Sequence, residues 1–166
     1  MKGALSTIHI RPATLEDLPE IEVIENSCFP ADRRSSLRAL GYSLKSPSQS
    51  VWVAVSDRCE IAGAMIIHHH PRSLRIFSIA VLSAFRGCGA GKQMVEQAIT
   101  LARRADCDAV TLEADHHDRA LISWYEKFGF QIKKTLSDYH SPGAHAVRMR
   151  LPLKTALKGG RVRGRS

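Results

Sequence analysis

The chain has 166 residues, enough for one ordinary domain with a buried core and too few for two. Hydrophobic residues make up 44% and charged residues 24%, which excludes the disordered, collagen-like and coiled-coil classes. No apolar run reaches the roughly 18 residues of a membrane helix, and the first residues lack the apolar stretch of a secretory signal. We therefore expect a folded cytoplasmic protein that contacts no membrane.

The formal net charge of +8 is unevenly distributed along the chain. Residues 154–166 carry +5 of it and have little apolar content, which leaves +3 for the rest. We therefore predict a domain over residues 1–153 and a flexible basic tail over residues 154–166. Such a tail either makes a weak contact with the ribosome, a nucleic acid or an acidic partner, or is a solvated end without a specific role.

The apolar pattern predicts elements in the order β-α-α-β-β-β-α-β-α-β-β. Only the crossover through the helix over residues 89–105 requires a parallel strand pair. The order predicts an α/β (α+β) fold with a mixed, mostly antiparallel central sheet flanked by helices. The predicted strands cover residues 6–11, 51–55, 61–69, 74–82, 109–113, 130–135 and 145–153, and the other helices cover residues 14–29, 34–44 and 119–127.

The most informative segment is a glycine-rich turn, VLSAFRGCGAGK, between a predicted strand and an amphipathic helix. Glycines let the backbone approach an anion, and the free N–H groups and dipole of the helix start attract phosphate. The P-loop pattern fails because Arg86 replaces its first glycine and Gln93 its hydroxyl residue. The dinucleotide pattern fails because its third glycine would be Lys92. The remaining pattern is R-x-x-G-x-G, from Arg86 through Gly89 to Gly91.

This pattern resembles the coenzyme A loop of the GCN5-related N-acetyltransferase (GNAT) superfamily, and the same order of elements extends the resemblance over residues 8–153. The resemblance implies acetyl-CoA as co-substrate, no metal, and a strand backbone that binds the pantetheine arm before a loop that binds the pyrophosphate. The implied pantetheine contacts are Ile79, Ala80 and Val81, and the implied pyrophosphate contacts are Arg86, Gly87, Cys88, Gly89, Ala90, Gly91 and Lys92.

A second segment, LEA followed by YEKFGF, is similar to another block of the same superfamily. It is most similar to the RimI-type enzymes, which acetylate protein N-termini as ribosomal-protein-alanine N-acetyltransferases. The resemblance implies that Tyr125 is the general acid for the coenzyme A thiolate. It also implies that Glu113 is the base for the amine, directly or through a water. Without the resemblance, Tyr125 could be a core aromatic and Glu113 a solvent-facing carboxylate.

The chemistry of these two residues suits an α-amine. A phenol with a pKa near 10 can protonate a thiolate whose conjugate acid has a pKa of about 8.5. A peptide α-amine is about 10% neutral at pH 7 and a lysine only about 0.04%, so one modest base is sufficient for the α-amine.

Asp118 departs from the family pattern, in which an asparagine helps to hold the cofactor. An aspartate still suits the start of the following helix, but its charge opposes a polyanionic ligand unless it faces away. We therefore expect Asp118 to be a helix cap, with a direct cofactor contact as the alternative that the resemblance implies.

Histidines at positions 68–70 and 116–117 do not form a helical i, i+4 pair, so we predict no metal site. We expect exposed strand ends there, and one of these histidines could serve as the base in place of Glu113. The four cysteines are widely spaced and are expected to be reduced. Cys88 lies at a helix start beside basic residues, but the resemblance implies direct transfer rather than an acyl-cysteine.

In the N-terminal acetyltransferases the acceptor lies between the loop joining the first two helices and the loop joining the last two strands. The counterparts here are residues 29–34 and 138–145, which implicate Phe29, Pro30 and Tyr139 in substrate binding. The leading hypothesis is acetyl transfer to the N-terminal α-amine of a protein or peptide. The alternatives are transfer to a small-molecule amine or protein lysine and, in another class, a non-catalytic acyl-CoA-binding or ribosome-associated module.

Overall fold

Seven strands form one mixed sheet in the computed structural model, which describes residues 7–154. In the sheet their order is β1-β2-β3-β4-β5-β7-β6. Only β4 and β5 pair in parallel, so the predicted mixed sheet and its single required crossover are confirmed. The strands are β1 (Ile8–Pro12), β2 (Gln49–Ser56), β3 (Ile61–His69), β4 (Ser73–Val81), β5 (Ala109–Asp115), β6 (Gln131–Ser141) and β7 (Ala144–Pro152).

The described residues contain four α-helices: α1 (Leu18–Cys28), α2 (Leu37–Lys45), α3 (Ala90–Arg104) and α4 (Arg119–Glu126). Capping side chains set two of their starts. The Ser36 hydroxyl accepts a 3.1 Å hydrogen bond from the Ala39 N–H, which begins α2 three residues later than predicted. Asp118 accepts a 3.0 Å bond from the Leu121 N–H and caps α4.

The helices cover the two faces of the sheet. On the front face, α1 and α2 pack against β2, β3 and β4. On the back face, α3 and α4 pack against the alternate side chains of the same sheet. On β5 the even-numbered residues, such as Leu112, join the back-face core, so odd-numbered residues such as Glu113 face the front. The back face of β5 therefore carries apolar core residues, and its front face carries the Glu113 carboxylate.

The hairpin of β6 and β7 differs from the expectation that residues 138–145 form a loop. β6 continues to Ser141 and β7 begins at Ala144, so only two residues form the turn. Asp138 adopts φ +53°, its N–H donates to His145 Nδ1 at 3.0 Å, and its carboxylate accepts from the Gly143 N–H. These bonds let the strand continue past polar residues, and Tyr139 lies on β6 rather than in a loop.

Lys154, predicted as the first residue of the tail, is tied to the turn before β5. Its ammonium lies 3.1 Å from Asp108 Oδ1 and 3.4 Å from Asp106 Oδ1. The rest of the predicted tail, residues 155–166, lies outside the described residues. Among the helices of residues 7–154, none has the length and apolar character needed to cross a membrane.

Candidate active site

A cleft of about 1150 Å³ opens where β4 and β5 separate. The two strands pair from Ser73–Ala109 to Ile76–Leu112 and not beyond. Phe77 is an extra residue of β4, because the adjacent β3 residues Ile66 and Ile67 pair with Ser78 and Ile76. Such a bulge bends a strand and ends regular pairing. The resulting cleft is lined from both faces of the sheet, with α4 on the back and the α1–α2 connection on the front.

The glycine-rich turn forms the anion-binding end of the cleft. Gly87 and Gly89 have φ of +83° and +86°, which favours glycine, and Gly89 caps α3. The amides of residues 90–92 have no backbone acceptor among the described residues, as expected for a helix start. Arg86 and Lys92 also line the cleft. Free amides and two cations fit the predicted pyrophosphate group.

Cys88 is the exception in this turn. Its side chain does not line the cleft; its thiol donates to the Phe85 carbonyl and packs against the back-face core. This geometry leaves Cys88 only its backbone as a possible ligand of the cofactor and takes the thiol away from the reaction.

The end of β4 provides a backbone edge that pairs with no strand, although the Val81 carbonyl accepts a bond from the Cys28 thiol at 3.6 Å. Ile79, Ala80 and Val81 line the cleft and pair with β3 on one side only. On the other side the missing β5 partner leaves their edge facing the cleft. A linear ligand with amide groups can add to this edge as a strand would, so the residues present fit a pantetheine arm.

Tyr125 reaches the cleft from the back face. Its side chain is only 3% exposed and packs edge-to-face on Trp124 and Phe130 at ring distances of 5.0 and 5.6 Å. Burial raises the pKa of the Tyr125 hydroxyl, so the phenol stays protonated at neutral pH. Its hydroxyl has no hydrogen-bond partner among the described residues. A protonated, uncommitted phenol can donate a proton to a ligand in the cleft.

Glu113 reaches the same cleft from the front face, held between arginines of both neighbouring strands. Arg75 Nε donates to Oε2 at 2.9 Å and Arg148 Nε to Oε1 at 3.2 Å, while only 8% of the Glu113 side chain is exposed. Arg75 also donates to the Tyr139 hydroxyl at 2.8 Å. A carboxylate has about four acceptor positions, so Glu113 keeps capacity for a water or an ammonium.

Other cleft residues were not identified from the sequence. Arg33 Nη1 lies 3.4 Å from Asp115 Oδ2, and its buried Nε has no partner among the described residues. The His117 N–H and the Arg33 guanidinium hold the pKa of Asp115 below its usual value. Cys28 also lines the cleft, beside the predicted contacts Phe29 and Pro30. A charged residue within an otherwise apolar strand sequence could have indicated such residues, and Arg75 in β4 is an example.

His69, His70 and His117 are exposed, as predicted, whereas His68 and His116 are half-buried. His68 is half-buried, and its ring stacks on Phe77 with 4.5 Å between centroids. Within residues 7–154, none of the histidines at 68–70 or 116–117 lines the cleft, whereas His140 does. Partial burial and the nearby Arg33 guanidinium lower the pKa of His140, so its ring is neutral at pH 7. The histidine placed in the cleft lining is therefore His140 rather than one of those named from the sequence. Asp118 lines the cleft, with its carboxylate engaged in capping α4.

Comparison with known proteins identifies the family. The model of the acetyltransferase (GNAT) family matches residues 18–130, and the chain belongs to this family. An N-alpha-acetyltransferase of Sulfolobus acidocaldarius is 30% identical over 157 residues, which cover 87% of this chain and 92% of that protein. N-alpha-acetyltransferase 30 of Xenopus laevis is 33% identical over 103 residues, or 60% of this chain. The chain spans only 38% of that relative and 28% of its human counterpart.

Solved structures share the fold. The ribosomal-protein-S18-alanine N-acetyltransferase of Escherichia coli superposes with a TM-score of 0.80 at 20% identity, covering 94% of this chain and 99% of that one. Arabidopsis thaliana NAA60, solved in complex with acetyl-CoA, gives a TM-score of 0.78 at 16% identity and covers 89% and 99% of the two chains. These similarities confirm the predicted GNAT fold.

Proposed function

We propose that the protein transfers the acetyl group of acetyl-CoA to the N-terminal α-amine of a protein or peptide. One observation carries the proposal: Tyr125 and Glu113 reach one cleft from opposite faces of the sheet, beside a turn suited to bind pyrophosphate. The N-alpha-acetyltransferase names of the Sulfolobus and Xenopus relatives support it.

The back half of the cleft holds and orients the thioester. The amides at the start of α3, with Arg86 and Lys92, bind the pyrophosphate, and the free edge of β4 aligns the pantetheine arm. Acetyl-CoA supplies an acetyl group activated as a thioester. Fixing both reactants in one cleft removes much of the entropic barrier to their reaction.

Proton transfers occur at the two faces. The acceptor enters from the front, where the Glu113 carboxylate takes a proton from its ammonium, directly or through a water. The neutral amine then forms the new C–N bond as the C–S bond breaks, and Tyr125 donates its proton to the departing thiolate. The acylated nitrogen then releases its surplus proton, which returns through solvent to the Tyr125 phenolate and leaves a neutral amide. His140 is the alternative base, because its neutral ring lines the same front opening.

The front opening favours a peptide over a polyamine. Three guanidiniums, from Arg33, Arg75 and Arg148, face two carboxylates there, which disfavours a multiply charged cation. The buried Arg33 Nε lacks a partner within residues 7–154, and a peptide carbonyl would satisfy it. The larger neutral fraction of an α-amine also favours it over lysine at pH 7.

The cytoplasmic location and a ribosome or nucleic-acid contact of the tail remain predictions.

Three acceptors test the proposal: a lysine-free peptide with a free α-amine, an N-terminally blocked peptide with one lysine, and spermidine. We expect acetyl-CoA-dependent product with the first peptide and much slower reaction with the others. Reaction of spermidine or the lysine peptide alone would contradict the proposed acceptor. Binding of acetyl-CoA without any product would support the non-catalytic alternative, in which deletion of residues 154–166 should abolish partner binding.

A further inference from the structure

Within residues 7–154, half of the front face has no helix packed on it in the main contacts of the fold. Helices α1 and α2 pack against β2, β3 and β4, while β5, β7 and β6 continue the sheet beyond them. The side chains there follow the strand register in two rows. One row runs Glu113–Arg148–Lys134 across β5, β7 and β6, and the other runs Arg75–Thr111–Arg150–Gln131 from β4 to β6.

These rows form a positively charged surface. Glu113 is the only carboxylate in the two rows, and it is already bonded to Arg75 and Arg148. Among the described residues, no carboxylate lies within 4.0 Å of the Lys134 ammonium or the Arg150 guanidinium. We name Lys134, Arg148 and Arg150 the basic front surface. Its charge exceeds what Glu113 can balance.

The basic front surface lies next to the front opening of the cleft, through which the acceptor is proposed to enter. Lys134 lies two strands from Glu113, a distance of about 10 Å at the usual strand spacing. An extended peptide advances about 3.3 Å per residue, so roughly three residues separate an amine at Glu113 from a side chain at Lys134. Residues from about the third to the sixth of an acceptor would therefore cross this surface.

We propose that the basic front surface selects acceptor polypeptides that carry Asp or Glu close behind the reactive N-terminus. The inference rests on the proposed function and specifies its substrate class. The charge pattern supports a polypeptide over a nucleic acid: Glu113 and Asp115 lie at the opening and suit an ammonium, whereas the cations lie beyond them. An acidic N-terminal segment presents its charges in the same order, while a nucleic acid is anionic throughout.

The test uses three peptides that share their first two residues and a free α-amine. Positions three to six are acidic in the first, neutral in the second and basic in the third. We expect kcat/KM to be about 3- to 30-fold higher for the acidic than for the neutral peptide, from two or three partly exposed charge pairs. The difference should appear in KM rather than kcat, because the pairs form before the reaction and persist through it. It should shrink at high salt.

Two double variants assign the effect to the surface. Lys134→Gln with Arg150→Gln should remove most of the preference for the acidic peptide, while kcat for the neutral peptide stays unchanged. Arg103→Gln with Arg104→Gln is the matched control, because it removes two exposed cations at the end of α3 on the back face. Thermal denaturation checks that each variant folds.

The outcomes separate this inference from the proposed function. Equal kcat/KM for the acidic and neutral peptides would overturn the inference and leave the proposed function intact. A lack of reaction with all three peptides would overturn the proposed function instead. If the preference is absent and the Lys134/Arg150 variant alone loses binding of a single-stranded oligonucleotide, the surface binds nucleic acid and the inference is wrong.

Discussion

Replacing Glu113 by glutamine tests the centre of the front half of the cleft. Glutamine keeps the size of the side chain but removes its charge and one acceptor oxygen, which leaves Arg75 and Arg148 without their anionic partner. Breaking a fully buried ion pair costs about 3–5 kcal/mol, and breaking an exposed one costs about 0–1 kcal/mol. Glu113 is 8% exposed, but its partners are 24% and 44% exposed, so the loss lies between these limits.

We therefore expect Glu113→Gln to lower the free energy of unfolding by about 2 kcal/mol. For a domain of this size, that corresponds to a fall of roughly 4–8 °C in Tm. Loss of the proposed base should also lower kcat/KM for a free α-amine peptide by about 10²- to 10⁴-fold. Thermal denaturation and steady-state kinetics measure the two effects. Glu126→Gln is the control, because Glu126 is exposed and lies on α4.

The two effects refute different parts of the reasoning. A Tm equal to that of the wild type would show that the ion pairs of Glu113 with the two arginines do not stabilise the fold. A reduced Tm with full activity would show that Glu113 only positions Arg75, and His140 would then be the residue to replace next.

Three further predictions concern the framework. Gly63→Ala places a Cβ 2.6 Å from the Ala80 carbonyl oxygen, which should displace the β4 edge and lower the free energy of unfolding by about 1–3 kcal/mol. The affinity for acetyl-CoA, measured by calorimetry, should also fall. Unchanged affinity would contradict the proposed role of that edge. Burial raises the pKa of Glu25. Its contribution to the free energy of unfolding is therefore full below the unfolded-state pKa and is lost as pH rises through the folded-state pKa. In urea denaturation, Glu25→Gln should be more stable than the wild type at pH 7 but not at pH 4. Arg11 Nη1 lies 2.7 Å from Asp17 Oδ2, and this ion pair lowers the pKa of Asp17. Asp17→Asn should therefore be less stable than the wild type at pH 7, and the difference in the free energy of unfolding should vanish as pH falls below about 4. A difference that does not depend on pH would exclude the ion pair as the cause.

Local signals in the sequence were sufficient for the turn and for most elements. Glycines at positions 87 and 89 before a helical period predicted the anion-binding turn, because positive φ and free helix-start amides depend on nearby residues only. The apolar run before Glu113 likewise predicted the strand over residues 109–113, which the structure has as β5. These parts of the site required no knowledge of distant contacts.

The environment of Glu113 could not be predicted in this way. Its partners Arg75 and Arg148 lie 38 and 35 residues away, and they meet it only through the register of three strands. The hairpin was mispredicted for a related reason. Its polar residues give no apolar alternation, and the bonds of Asp138 that sustain the ladder depend on the fold of the turn.

The most direct test of the account is the kcat of Tyr125→Phe with acetyl-CoA and a free α-amine peptide. The change removes only a hydroxyl, while the ring keeps its packing against Trp124 and Phe130. Tyr42→Phe, at a residue that is 64% exposed on α2, is the matched control. The account predicts that kcat falls about 100-fold or more in Tyr125→Phe, with acetyl-CoA affinity and Tm unchanged. A kcat equal to that of the wild type would contradict it, because the cleft would then lack its proposed acid.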